Sequence, residues 1–335
     1  MAYPLPRDFR LRFEDLAVVA SGMQRPECVL ATESGELVAS DGRGGVAVVH
    51  PSSGRVAVVA ARSQPSDGFV PNGIAVAPDG RVLFAHLGAE RGGIFALSAE
   101  GRIEPLVSEV EGRPIPPSNY VMVDPQGVVW FTVSTRRRPR NLAWNHEVAD
   151  GFIGVMDEAG VRIVADGLGY TNELAFSADG QWVYVNETYA RRVSRFALRP
   201  GPTLGPRETV AQLGGADLPD GIVFDEAGGL WLSCIASNRV IVVRPDGEVQ
   251  VVLDDGDPQH VARVEQGVRT GTLAPADMHT AGRSRLGNVS SLAFGGPDRK
   301  TAYLGCLLDD RIRSFAAPVA GLAPAHWKRR IFSAA

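Results

Sequence analysis

Residues 74–85 read IAVAPDGRVLFA: an apolar run, a short polar turn closed by Gly80, and a second apolar run. A glycine in that place supplies the positive φ that a tight hairpin needs, and the flanking runs read as two antiparallel strands. The same phrase recurs along the chain. VLATESGELVAS (29–40), VMVDPQGVVWFT (121–132), LAFSADGQWVYV (174–185) and IVFDEAGGLWLS (222–233) align with it on Gly35, Gly127, Gly180 and Gly228. A sixth copy, LAFGGPDRKTAYLG (292–305), has a longer turn. Successive glycines stand 45, 47, 53 and 48 residues apart, with about 70 residues before the sixth copy.

Four antiparallel strands of five or six residues, with their turns, fill that period. The expectation is an all-β chain, a single six-bladed β-propeller over residues 1–335, with four-stranded antiparallel blades around a central tunnel. Two β-sandwiches would give no reason for so regular a spacing. Helical periodicity is hard to find over any window longer than about ten residues. The extra residues before the sixth copy, about 254–284, read as a long excursion over one face, in the role of lid, interface or plain surface loop.

Composition narrows the classes of partner. The chain is 44% hydrophobic and 21% charged, with a net charge of −4, which gives no electrostatic reason to expect nucleic acid or an anionic membrane. A small-molecule substrate is the expected partner, and the oligomeric state is not legible. The N-terminal stretch MAYPLPRDFRLRFEDLAVV lacks the apolar run of a signal peptide, and a cytoplasmic protein is expected. Cys28, Cys234 and Cys306 are too few and too scattered for a disulfide framework or a zinc site, and read as buried small hydrophobes.

Reading every copy at one position finds the chemistry. Eight residues before the turn glycine stand Glu27, Asn72, Asn119, Asn172 and Asp220; matching LAF to LAF puts Ser290 in the sixth slot. The first strand of a blade lines the tunnel, so these oxygen-bearing side chains form a ring at one mouth. Two carboxylates among carboxamides are costly to bury without a counter-charge, and hard divalent cations prefer oxygen ligands. One divalent metal ion, Ca²⁺ first, is the expected cofactor. Zinc is disfavoured on these residues alone, since no His or Cys fills a slot.

The segments RPECV, TNELAFSADGQWVYVNET, LPDGIVFDEAGGLWLS and above all NVSSLAFGGPDRKTAYLG resemble the senescence marker protein, gluconolactonase and luciferin-regenerating enzyme family, also called regucalcin-like. The resemblance runs over about residues 20–310. It implies a six-bladed propeller with one divalent metal (Ca²⁺, Zn²⁺, Mn²⁺ or Mg²⁺) in the tunnel and, in many members, lactone hydrolysis. Carried over by position, the implied ligands are Glu27, Asn172 and Asp220, with Asn119 as a fourth ligand or a substrate contact. This chain departs from the pattern at Pro117, where an arginine often holds sugar hydroxyls, at Tyr120 in place of an acid, at Cys28 and Val29 in place of Gly-Pro, and at Glu173 in place of Gly. A cyclic ester less polar than a sugar lactone is therefore the expected substrate.

The expected reaction is metal-dependent hydrolysis, with Asp220 both ligating and accepting a proton from the attacking water. Asn119, Asn72, Tyr120, His146 and Trp144 are the candidate substrate contacts. STRRRPRN (134–141) is a basic loop, either solvated or placed at the mouth to attract an anionic substrate. His86, His260 and His279 read as surface or satisfied core histidines. The alternatives are a non-hydrolytic reaction (isomerase, lyase or condensing enzyme) in the same tunnel, or ligand binding without turnover.

Overall fold

The structure, a computed structural model, describes residues 3–332. Six four-stranded antiparallel sheets follow one another around an axis, each built from strands consecutive in sequence except the last. The inner strands are Val29–Ala31, Pro71–Val76, Ser118–Val123, Thr171–Phe176, Asp217–Phe224 and Val289–Gly295, in blades 1 to 6. Blade 6 takes its outermost strand, Ala17–Ala20, from the N-terminal end, antiparallel to Ile312–Ala316.

The turn glycines behave as the repeat requires. Gly35 and Gly127 have φ of 85° and 86°, and a Cβ on either would meet nothing within 4 Å, so the requirement is one of backbone conformation alone. In blades 2 and 4 the acid directly before the turn glycine accepts from the backbone two residues on, Arg81 N to Asp79 Oδ1 (3.0 Å) and Gln181 N to Asp179 Oδ1 (3.0 Å). In blades 3 and 5 a different acid opens the turn and anchors the next strand: Trp130 Nε1 donates to Asp124 Oδ2 at 3.0 Å and Trp231 Nε1 to Asp225 Oδ2 at 2.8 Å. Both indoles are fully buried between blades, where an unpaired N–H would be costly.

Helix α1 (Pro258–Thr270) and the short helix α2 (Pro275–Met278) occupy the excursion, so the absence of long helical periodicity is corrected here. The α1 boundaries carry ordinary signals: Asp257 caps the first turn by accepting from Gln259 N, Pro258 opens it, and Gly271 ends it at φ 66°. Val264 and Val268 pack on Tyr170, Tyr189 and Ala143, and Glu265 pairs with Arg191 at 2.7 Å. The excursion is thus part of the wall around one tunnel mouth. No helix among the described residues is long and apolar enough to cross a membrane. All three cysteines are buried and free.

Candidate active site

The ring residues stand where the inner strands lose register. Pairing to the second strand shifts between Pro71 and Ile74, Ser118 and Tyr120, Thr171 and Leu174, Pro219 and Ile222, and Val289 and Ser291. Asn72, Asn119, Asn172, Asp220 and Ser290 lie within these bulges, and Glu27 precedes the first inner strand. A bulge inserts a residue and re-aims its side chain, which turns a polar group toward the axis while the strand on either side stays apolar. All six side chains are buried.

Hydrogen bonding divides the six. Asn72 is committed at both ends of its amide: Nδ2 donates to Glu27 Oε1 (2.8 Å) and Asn119 O (2.9 Å), while Oδ1 accepts from Arg25 Nη2 (2.7 Å). Ser290 Oγ donates to Glu27 O at 2.8 Å, tying blade 6 to blade 1. Both therefore bridge blades. Glu27 Oε2, Asn119 Oδ1 and Asn172 Oδ1, by contrast, are buried acceptors with no partner. Thr188 sets the last of these, since its hydroxyl accepts from Asn172 Nδ2 (3.0 Å) and donates to Pro219 O (2.9 Å), leaving the amide oxygen free.

The electrostatics point the same way. Burial pushes the Glu27 carboxyl up to about 7, against the pull of Arg25 and Arg140. Asp220 is raised well above the usual carboxylate range by burial and by Glu27, with Asn172, Arg25 and Arg140 acting in the opposite sense. Orphaned oxygens and two destabilised carboxylates, with no orphaned donor in the ring, fit a hard cation bound by oxygen. Among the described residues no cluster of three or more His, Cys, Asp and Glu is arranged for a metal. The donor set here is half carboxamide.

At the mouth beside this ring, Trp144 Nε1 and Arg140 Nη1 both reach the Tyr170 hydroxyl, at 3.0 and 3.4 Å. Tyr189 meets Tyr170 edge-on (centroids 4.7 Å) and stacks on Trp144 (5.9 Å). Met278 and Leu307 pack in the same cluster. His146 is exposed, with Nδ1 lying 3.4 Å from Val268 O. His86 is core, accepting from Val70 N at 3.1 Å, and His260 is buried on α1 while His279 is exposed.

Tyr120 is placed differently from the sequence expectation. It lies one tier below the ring and walls a separate cavity of about 370 Å³ on the other side, with Cys28, Glu173 and Met122. Glu173 Oε2 accepts from Ile222 N at 3.1 Å, and burial raises its carboxyl well above the usual range. No pattern in the sequence marks Arg25 as a mouth residue, or Thr188 as the group orienting Asn172.

Residues 86–259, just over half the chain, match the model of the SMP-30/Gluconolactonase/LRE-like region. The 6-deoxy-6-sulfogluconolactonase of Pseudomonas putida is 30% identical over 226 residues, 67% of this chain and 65% of the relative. Strictosidine synthase-like 13 of Arabidopsis thaliana is 30% identical over 154 residues, 42% of this chain and 36% of that protein. The match thus spans less than two thirds of either relative's length. Among solved structures, the calcium-binding regucalcin of Agrobacterium tumefaciens superposes with a TM-score of 0.68 at 17% identity, over 97% of this chain and 99% of that one. That likeness is one of fold.

Proposed function

The chain belongs to the SMP-30/gluconolactonase/LRE-like family, and from that premise we propose that it is a metal-dependent hydrolase opening a cyclic ester at the ring of Glu27, Asn119, Asn172 and Asp220. The observation that carries the reading is the set of buried oxygens on Glu27, Asn119 and Asn172 that lack any partner. With Asp220 they would hold one divalent ion, Ca²⁺ by the hardness of the donors. Bound there, it supplies Lewis-acid polarisation of the ester carbonyl.

The protein's own groups do the remainder. Asp220 is held at the axis by the blade 5 bulge, its backbone oxygen accepting from Asn186 Nδ2 at 3.0 Å, and its carboxylate takes the proton of the attacking water. Trp144, Tyr170 and Tyr189 offer an apolar wall for the ring of the substrate and exclude bulk water from one side. This wall, with Pro117 where sugar-lactone enzymes often carry arginine, favours a body less polar than a sugar.

Metal content of the purified protein, read by mass spectrometry for wild type and Asp220→Ala beside turnover of a lactone panel, tests the reading. About one ion per chain, lost in the variant together with turnover, is the expected result. Full lactone turnover by a metal-free protein would remove the metal from the reading, and a loaded protein that opens no lactone would remove the reaction.

A further inference from the structure

We propose that Arg25 and Arg140 make this site select cyclic esters bearing an anionic oxyacid group, a carboxylate, sulfonate or phosphate. The proposal rests on the lactonase reading and deepens it. It begins from the partners of the basic loop. Arg136 pairs with Asp166 at 2.7 Å and Arg137 with Asp150 at 3.4 Å, and Arg138 is exposed. Arg140 turns inward, is part-buried, and its side chain finds only the neutral hydroxyl of Tyr170. Two sides of one loop are thus built differently: Arg136 and Arg137 are matched by carboxylates and Arg138 lies in solvent, while the part-buried Arg140 has no carboxylate.

Arg25 approaches from blade 1. It adopts φ 53°, a conformation non-glycine residues avoid, and its guanidinium meets Asn72 Oδ1 (2.7 Å) and Pro71 O (3.4 Å), again neutral acceptors. Among the described residues neither Arg25 nor Arg140 forms an ion pair. Arg25 is tied to the ring through Asn72, whose Nδ2 donates to Glu27, and Arg140 through Tyr170, whose carbonyl accepts from Thr188 N at 3.0 Å while the Thr188 hydroxyl accepts from Asn172, which puts the two guanidiniums on the same side of the tunnel.

Counting charge then gives the ligand class. Glu27 and Asp220 offset a divalent ion, and Glu173, the other buried carboxyl nearby, faces the cavity on the far side of the ring and is held toward its neutral form by burial, so the two guanidiniums are left without a counter-charge inside a partly buried pocket. A buried charge without a partner is costly, and a planar guanidinium is well matched to an oxyanion. The missing negative charge is supplied by the substrate. The aromatic wall takes its body and the arginines its anionic group.

The experiment compares γ-butyrolactone with its γ-carboxylated counterpart on the metal-loaded protein, measuring kcat/KM by proton release and Kd by calorimetry. Wild type is expected to favour the carboxylated lactone by about tenfold to a hundredfold, with a preference that shrinks as salt is raised. Arg140→Gln and Arg25→Gln should each collapse the ratio, Arg140→Lys should restore part of it, and Arg138→Gln should leave it unchanged. Turnover of both lactones at equal efficiency would overturn the proposal and keep the lactonase reading. Turnover of neither would sink the lactonase reading, and the calorimetric preference would then decide the arginine assignment alone. Loss of metal in Arg140→Gln with the ratio preserved would assign the arginines to balancing the ring instead.

Discussion

The two ends of the tunnel are built from the same inner strands and hold opposite chemistry. At the upper end each strand from blade 2 to blade 6 is broken by a bulge that turns a polar side chain inward. At the lower end the strands run in regular register and present Leu30, Val76, Met122, Phe176, Phe224 and Phe294 to a cavity of about 370 Å³. The segment around Leu322–His326 lines its floor, held by Leu322 N to Phe224 O at 2.9 Å. Open space and chemistry are separated here. Regular pairing gives the packed end, and its interruption gives the reactive one.

The sharpest way to break this comparison is Asp220→Asn. Turnover should fall by about a hundredfold to ten-thousandfold, while the chelated protein should melt higher than chelated wild type, because one of two buried carboxylates that repel each other is gone. A variant that lost stability along with turnover would make Asp220 a structural residue, and the contrast would fail. At the packed end Phe294→Ala, which removes a buried ring meeting Trp231 at 5.4 Å, should cost about 3–5 kcal/mol in a denaturant melt. Its kcat at a temperature where it stays folded should remain near that of wild type.

Acidity sharpens the contrast further, since Glu27 at one end and His326 at the other respond with opposite signs. Glu27 is raised from 4.5 to about 7, so across that window the folded, metal-free chain keeps a proton that the unfolded chain has lost. Glu27 should therefore make the stability of the chelated protein fall as pH rises through the window, by up to about 3 kcal/mol, and Glu27→Gln should reduce the slope, the remainder belonging to Asp220 and Glu173, whose carboxyls burial also raises. His326 is held down to about 4 by burial and donates no charge to the fold. Between pH 6.5 and 4 the unfolded chain gains the proton first, so His326 contributes a loss of stability as pH falls. The effect is smaller, on the order of 1–2 kcal/mol for a part-exposed ring, and His326→Gln should remove it from the chelated protein's melting profile.

The fold was legible because turn chemistry repeats: five glycines at one register position announce five hairpins, and the spacing supplies the blades. The ring slot was legible for the same reason. Tyr120 was not, because parity along a strand predicts facing only while register holds, and Tyr120 follows directly on a bulge. Within RRRPR no local signal separates Arg140 from Arg136 and Arg137; the difference is made by Asp166 and Asp150, which the chain brings up from elsewhere. Helix α1 announced its ends through Asp257, Pro258 and Gly271, but its interior, QHVARVEQGVR, is polar enough to hide the stripe that packs on the mouth. The Asp-to-indole bonds in blades 3 and 5 were visible as a shared D-x-x-G-x-x-W phrase, read only for its glycine.

Blade 6 gives the site a date in the life of the chain. Its outer strand is Ala17–Ala20 and its inner strand Val289–Gly295, so the sheet cannot be completed until the chain through Ile312–Ala316 has left the ribosome. Glu27, made well before Ser290, gains its contact with that residue only once blade 6 is in place. A nascent chain carries every other ring residue while the circle is still open, and a chain broken off before blade 6 keeps both carboxylates without the enclosure that buries them. The enclosed ring requires blade 6, so the ion site in its complete form belongs to a chain made through that blade.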